Sequence, residues 1–129
     1  MLRPVAAALL LCAALLAALP AIIGDRPWGE AFSASLGPRP AAWCGWEMRR
    51  ITGRLDPALN RALAWLRFPR AAPAPGRIVV WNWGRGRGHV GRIVRVTGRC
   101  TALVYSGNDG GRARTREHNI CNAVAIVRV

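Results

Sequence analysis

Between Pro69 and Gly76 the chain passes through Pro69, Pro73, Pro75 and Gly76, and the spacing of its apolar residues changes across that break. Proline removes a backbone donor and fixes φ, so neither a helix nor a central strand can run through such a segment. Before it, Leu59, Ala62, Leu63 and Leu66 recur at helical spacing up to about Phe68. Asp56-Pro57 supplies an N-cap and a proline at the first helical position. A preceding helical segment starts at Trp43 or Cys44 and runs to Thr52, with Gly53 as its stop. After the break the period is that of strands. Ile78–Trp83 is a strand, Trp83–Gly88 a glycine-rich turn, His89–Thr97 a second strand and Thr101–Tyr105 a third. Ser106–Arg112 reads as a loop and Ala123–Val129 as a closing strand. Helices followed by a strand meander predict an α+β domain, its helices packed on a small antiparallel sheet.

That domain does not use the whole chain. Val5–Ile23 is an apolar run broken only by Pro20 and preceded by Arg3. This is the layout of a secretory signal peptide, and the run is also long enough to serve as a membrane anchor. Both readings deliver the remainder to or across a membrane. The expected organisation is an export segment at 1–23, a Pro/Gly-rich linker without sustained periodicity at 24–42, and the folded domain at 43–129.

Cysteine use follows from that location. Cys12 lies in the export segment, which leaves Cys44, Cys100 and Cys121. Small exported domains gain from disulfides, and Cys100 and Cys121 both sit among strand-like segments near the end of the chain. They are expected to pair, leaving Cys44 free. The charge is strongly positive, formally +13, and every basic residue is Arg. Such a surface attracts anions: cell-wall carboxylates and phosphates, anionic lipids or nucleic acid. Export makes nucleic acid the weakest of these.

Cys44 stands at the start of a helix, where unpaired N–H groups and the helix dipole favour negative charge, an environment expected to lower a thiol pKa. His89 opens a strand directly after the flexible turn, and a neutral imidazole there can take a thiol proton and return it to a leaving amine. Asn108 lies in the loop after the following strand. An antiparallel pair brings that loop back beside His89, where an amide can orient the ring.

The order Trp43-Cys44, the Leu63–Leu66 helix, Pro75-Gly76-Arg77-Ile78-Val79-Val80, Gly88-His89-Val90-Gly91 and Ser106-Gly107-Asn108 resembles the CHAP and NlpC/P60 group of cysteine peptidases and amidases over about residues 43–129. The resemblance implies a papain-like fold and hydrolysis of amide bonds in peptidoglycan stem peptides or at their link to the glycan. Cys44 would be the nucleophile, His89 the base and Asn108 the orienting group, with no metal or other cofactor. The chain departs from the pattern at Arg77, where an acid is common. It departs again at Gly45, where Ser or Ala is usual and Gly costs a helix about 1 kcal/mol.

Around this trio, Trp81 and Trp83 and then Arg85 and Arg87 are expected to meet substrate. Alternation along a strand assigns one tryptophan to packing and the other to stacking on sugar or peptide, while an arginine binds a stem-peptide carboxylate. His118, in the polar stretch Arg116-Glu117-His118-Asn119, reads as a surface residue. The competing reading of the whole is a basic cell-wall-binding module of the same fold without turnover.

Overall fold

The computed structural model describes residues 28–129. The export segment at 1–23, and the membrane contact through residues 5–23 that an anchor would make, lie outside the described residues. No helix among those described is long and apolar enough to cross a membrane.

The chain is α+β. Helix α1 spans Trp28–Ser35 and α2 spans Cys44–Thr52; two short 3-10 helices follow at Pro57–Asn60 and Ala62–Arg67. Five strands come next: β1 Ile78–Gly84, β2 Arg87–Val96, β3 Thr101–Ser106, β4 Arg114–Asn119 and β5 Ala125–Val127. They form one antiparallel sheet in the order β4-β3-β2-β1-β5.

Several boundaries follow from local chemistry. Gly53 ends α2 in the left-handed conformation at φ 71°, a C-terminal geometry glycine adopts at little cost. The Asp56 side chain accepts from the Ala58 N–H, capping the turn that Pro57 opens. Both helices after Asp56 are 3-10 rather than α. The β1–β2 hairpin closes on Arg85 and Gly86, both at positive φ (55° and 72°), between the paired residues Gly84 and Arg87. A two-residue loop with positive φ at both positions matches the right-handed twist of the strands it joins.

The expected helix from Pro57 to about Phe68 is thus two 3-10 turns parted by extended Arg61, and two more elements differ from expectation. Part of the 24–42 lead-in, Trp28–Ser35, is helical. Arg114–Asn119, too polar to show an apolar alternation, is a strand held on one side by backbone pairing to β3.

The sheet buries both faces. Ile78, Val80 and Val90 pack under α2 and the 3-10 helices with Met48, Leu59 and Trp65. Val79, Trp81, Ile93, Ala102 and Val104 face the other way and are covered by Ile120 and Ala123. Those two covering residues belong to the connector 120–124, which joins one edge strand to the other. Four flat strand spacings would need about 19 Å, the limit of what so short a connector can reach. Because the connector also turns back on itself (Ala123 N–H to Ile120 C=O), the sheet must curl to bring its edges together. Cys100 and Cys121 form a disulfide that anchors this connector to the start of β3, and Cys44 is free and buried.

α2 sits unusually close to the next segment. A Cβ on Gly45 would overlap the backbone carbonyls of Leu59 and Asn60, so the glycine that departs from the expected pattern is what permits this approach. Arg49, 1% exposed, ties the same two segments together. It donates to Asn60 Oδ1 and to the carbonyl of Leu55, each at 2.6 Å.

Candidate active site

The start of α2, the β1–β2 hairpin, the turn at Asn60–Ala62 and the loop after β3 meet around a cavity of ≈ 390 Å³. Cys44, His89 and Asn108 all line it, as do Trp83, Arg61 and Arg87. Three polar residues distant in sequence are thus brought to one hollow.

α2 has no side-chain N-cap, so its first N–H groups are left for the thiol. The backbone N–H groups of Val90, Gly45 and Cys44 favour a negative sulfur, yet burial dominates and raises the Cys44 pKa above its ordinary value. This reverses the expectation from the helix start: the field points the right way, but removing the thiolate from water costs more than the field returns. His89, 5% exposed, is pushed down to about 4 by burial, with His118 and Arg116 adding to the effect and Asp109 opposing it. At neutral pH both groups are uncharged, and no hydrogen bond joins the thiol to the ring among the described residues.

His89 Nε2 pairs with Ser106 Oγ at 3.0 Å. Asn108, at φ 53° in the left-handed region, instead donates its amide at 3.5 Å to the Ala41 carbonyl. The residue that contacts the ring is therefore Ser106, the last residue of β3, where Asn108 was expected two positions later. A Cβ at Gly91 would run into Val104 first and then crowd Ser106. That glycine was legible as part of the Gly88–Gly91 motif, but its purpose was not.

Alternation does not separate the two tryptophans as expected, because residues two apart on a strand share a face, and both line the space beside His89. What separates them is depth. Trp81 is buried and donates to the Asn119 carbonyl and to Asn122 Oδ1. Trp83 is 62% exposed and its ring lies parallel to that of His89 at 5.6 Å. Of the two arginines expected at substrate, Arg87 lines the cavity and Arg85 occupies the hairpin turn outside its lining; Arg61 takes the second cationic position.

Behind His89 lies a charged cluster that no sequence motif announced. Asp109, 6% exposed, accepts from Arg116 at 2.6 Å, Arg114 at 3.1 Å and His118 at 3.2 Å. Burial pushes this carboxyl up, but the hydrogen bonds from Arg116 and Arg114 outweigh it and hold the group far below the usual carboxylate range. His118 is a correction to its expected surface position. Its side chain is 12% exposed and packs against the Trp81 ring at 5.2 Å. A second buried carboxyl, Glu47 on α2, is pushed up by burial, but hydrogen bonds from Arg50 and Tyr105 more than offset this and leave it below its ordinary value.

No family model, curated protein or solved structure matches this chain.

Proposed function

We propose that this protein is a papain-like cysteine hydrolase, exported to the cell wall, that cuts an amide bond of peptidoglycan. The observation that carries the reading is the single cavity walled by Cys44 at a helix start, His89 on the facing strand and Asn108 in the adjoining loop. Because thiol and imidazole both rest uncharged, attack begins with proton transfer from Cys44 to His89 as substrate displaces water from the cavity. Sγ then adds to the carbonyl carbon while N–H groups at the start of α2 receive the developing oxyanion. His89 returns the proton to the leaving amine, and water releases the acyl group from sulfur. Ser106 orients the ring. Among the described residues no acid lines the cavity, and Arg61 and Arg87 do, which suits a substrate bearing carboxylates. The disulfide is consistent with an oxidising location.

One observation favours a second reading, a basic wall-binding module without turnover: the thiol is buried, un-ionised and not hydrogen-bonded to His89. A muropeptide digest separates the two. Full-length protein and its Cys44→Ala variant are incubated with peptidoglycan and the released fragments weighed. The hydrolase releases new fragments that the variant does not. Equal silence from both, with wall binding retained, establishes the module.

A further inference from the structure

The Cys44 cavity lies at one end of the sheet, and the other end carries a different surface. α2 begins at the cavity with Cys44 and ends at Thr52, while β2 leaves the cavity at His89 and runs on to Val96. The strand from His89 to Arg95 spans about 20 Å. At this far end Thr52, Gly53, Arg54, Gly76, Arg92 and Val129 line a hollow of ≈ 350 Å³. We infer that this end of the domain docks on an anionic lipid bilayer, with its arginines on the headgroup phosphates and its exposed aliphatic side chains in the headgroup layer, so that the Cys44 cavity faces away from the membrane.

Charge gathers at this end without counter-ions. Ile78 pairs with Arg92 on one side and with Val127 on the other, so Arg77, Arg92 and Arg128 come to one border of the sheet. Among the described residues none of these three makes an ion pair, nor does Arg54 or Arg95. The acids are engaged elsewhere: Glu47 holds Arg50, Asp56 holds Arg67, and Asp109 holds Arg114 and Arg116. Glu117 pairs with Leu103, which pairs with Arg95, and this places the acid roughly 10 Å across the sheet from that arginine. Like charges held together repel one another, and an anionic surface relieves that repulsion. The apolar part of the surface selects lipid over a soluble phosphate polymer. Burial alternates along β2 from Gly91 to Val94 and then stops alternating, for Val94, Arg95 and Val96 are all exposed. Leu55, beside Arg54, and Val129, in the hollow, are exposed as well. Single exposed valines are ordinary. Interleaved with arginines they form the two-part surface of a membrane interface, in which aliphatic groups reach the acyl boundary while guanidinium groups stay with the phosphates. A hydrated polymer offers the aliphatic half nothing. The inference does not depend on turnover, since the cavity end stays clear of the bilayer whether or not Cys44 is a nucleophile.

The test uses the full chain with its disulfide intact, on vesicles of phosphatidylcholine alone or with about one-third phosphatidylglycerol. Phenylglyoxal modifies accessible guanidinium groups, and mass spectrometry reads the extent residue by residue. An uncharged apolar segment meets both kinds of vesicle alike, so a difference between them reports on the arginines of the folded domain. Modification of Arg54, Arg92 and Arg95 should slow at least fivefold on the anionic vesicles, while Arg85, in the hairpin turn at the cavity end, should not change. Arg54→Gln with Arg95→Gln should weaken the docking read at Arg92 by about fivefold per arginine removed, the scale of one basic residue at an anionic surface. Salt near 1 M should abolish the protection. Val94→Ser with Val96→Ser should weaken docking severalfold, with circular dichroism to show that the variant is folded. Equal modification on both kinds of vesicle overturns the inference, as does protection confined to Arg85 and Arg87. Equal protection by soluble polyglycerol phosphate, indifferent to the valine changes, assigns the surface to a phosphate polymer and overturns the lipid assignment. None of these outcomes involves muropeptide release, so failure here leaves the hydrolase standing, and failure of the hydrolase leaves the docking surface standing.

Discussion

The two sides of His89 are built on opposite electrostatic plans. Toward Cys44 the wall is uncharged at the reacting atoms and flanked by arginines, with no acid among the described lining residues. Toward Asp109 the wall is dense with charge that cancels within itself, one carboxylate against Arg114, Arg116 and His118. The comparison teaches that helix dipole and nearby cations do not by themselves make a thiolate. Desolvation at Cys44 outweighs three favourable N–H groups, whereas at Asp109 direct ion pairs outweigh desolvation. The partner's charge decides: ion pairs outweigh burial at Asp109, and neutral N–H donors around a buried sulfur do not.

The strongest way to break this comparison is to remove the ring that divides the two sides. His89→Asn should lower turnover by roughly 10²–10⁴-fold, the range for losing a positioned base, in a kcat assay on wall fragments. Alkylation of Cys44 by iodoacetamide should meanwhile stay slow at pH 7 and climb about tenfold per pH unit to beyond pH 9, as a thiol raised above its ordinary value requires. A plateau below pH 8 would show a preformed thiolate and overturn the account in which burial outweighs the N–H groups.

Acid should sharpen it next. His89 is held at about 4 in the fold against an ordinary value of 6.5, so the unfolded chain binds a proton more readily between those values. The stability this represents, roughly 3 kcal/mol, is fully present above about pH 6.5 and is lost as pH falls toward 4. The depressed carboxyls of Glu47 and Asp109 add stability that is fully present above their ordinary carboxylate values and is lost as pH falls from there through their lower values in the fold. Thermal melts at pH 7, 5.5 and 4 should show a falling midpoint, and His89→Gln should flatten the upper part of that decline.

Gly45→Ala tests the platform beneath the Cys44 side. Its Cβ has no space against the Leu59 and Asn60 carbonyls, and overpacking of this kind costs about 1–3 kcal/mol. The melting temperature should drop, although Ala is the better helix former by propensity. An unchanged or higher midpoint would show that the segments part easily.

The smallest effect expected is at the ring's own partner. Ser106→Ala should reduce kcat severalfold, the scale of one neutral hydrogen bond of about 1 kcal/mol, with KM little altered. Asn108→Ala should act instead on KM, because Asn108 lines the hollows on both sides of His89 without bonding to the ring. The reverse pattern would restore Asn108 as the orienting group.

Much of the frame was legible in the chain because it rests on short-range signals. Gly53, the Asp56-Pro57 cap and the hairpin glycines each dictate a local backbone state, and the α+β order follows from where the period changes. The free Cys44 and the Cys100–Cys121 pairing were legible from cysteine placement. What escaped reading depends on tertiary contact. Arg114–Asn119 is a strand through its pairing with β3, not through its own composition. His118 and Asp109 look like surface residues until the curl of the sheet encloses them. Ser106 reads as the edge of a loop, and its role appears only when Gly91 lets the two strands close around it. The thiol's ionisation was misjudged for a related reason: the helix start is local and visible, but the depth of burial is not.

The borders of the sheet carry a consequence beyond chemistry. The outer edge of β5 is occupied by the proline-broken segment, through the Arg70–Val127 bridge and the Ala71 N–H to Ile126 C=O bond. The opposite border, β4, presents Thr115, Arg116 and Glu117 to solvent. A free strand edge is a template for another chain; here one is occluded by backbone that cannot extend a sheet and the other is lined by charged side chains, which blunt such an edge. The molecule is therefore built to resist strand-to-strand aggregation even when crowded, and the prolines that divide its two halves in sequence also guard one of its exposed flanks.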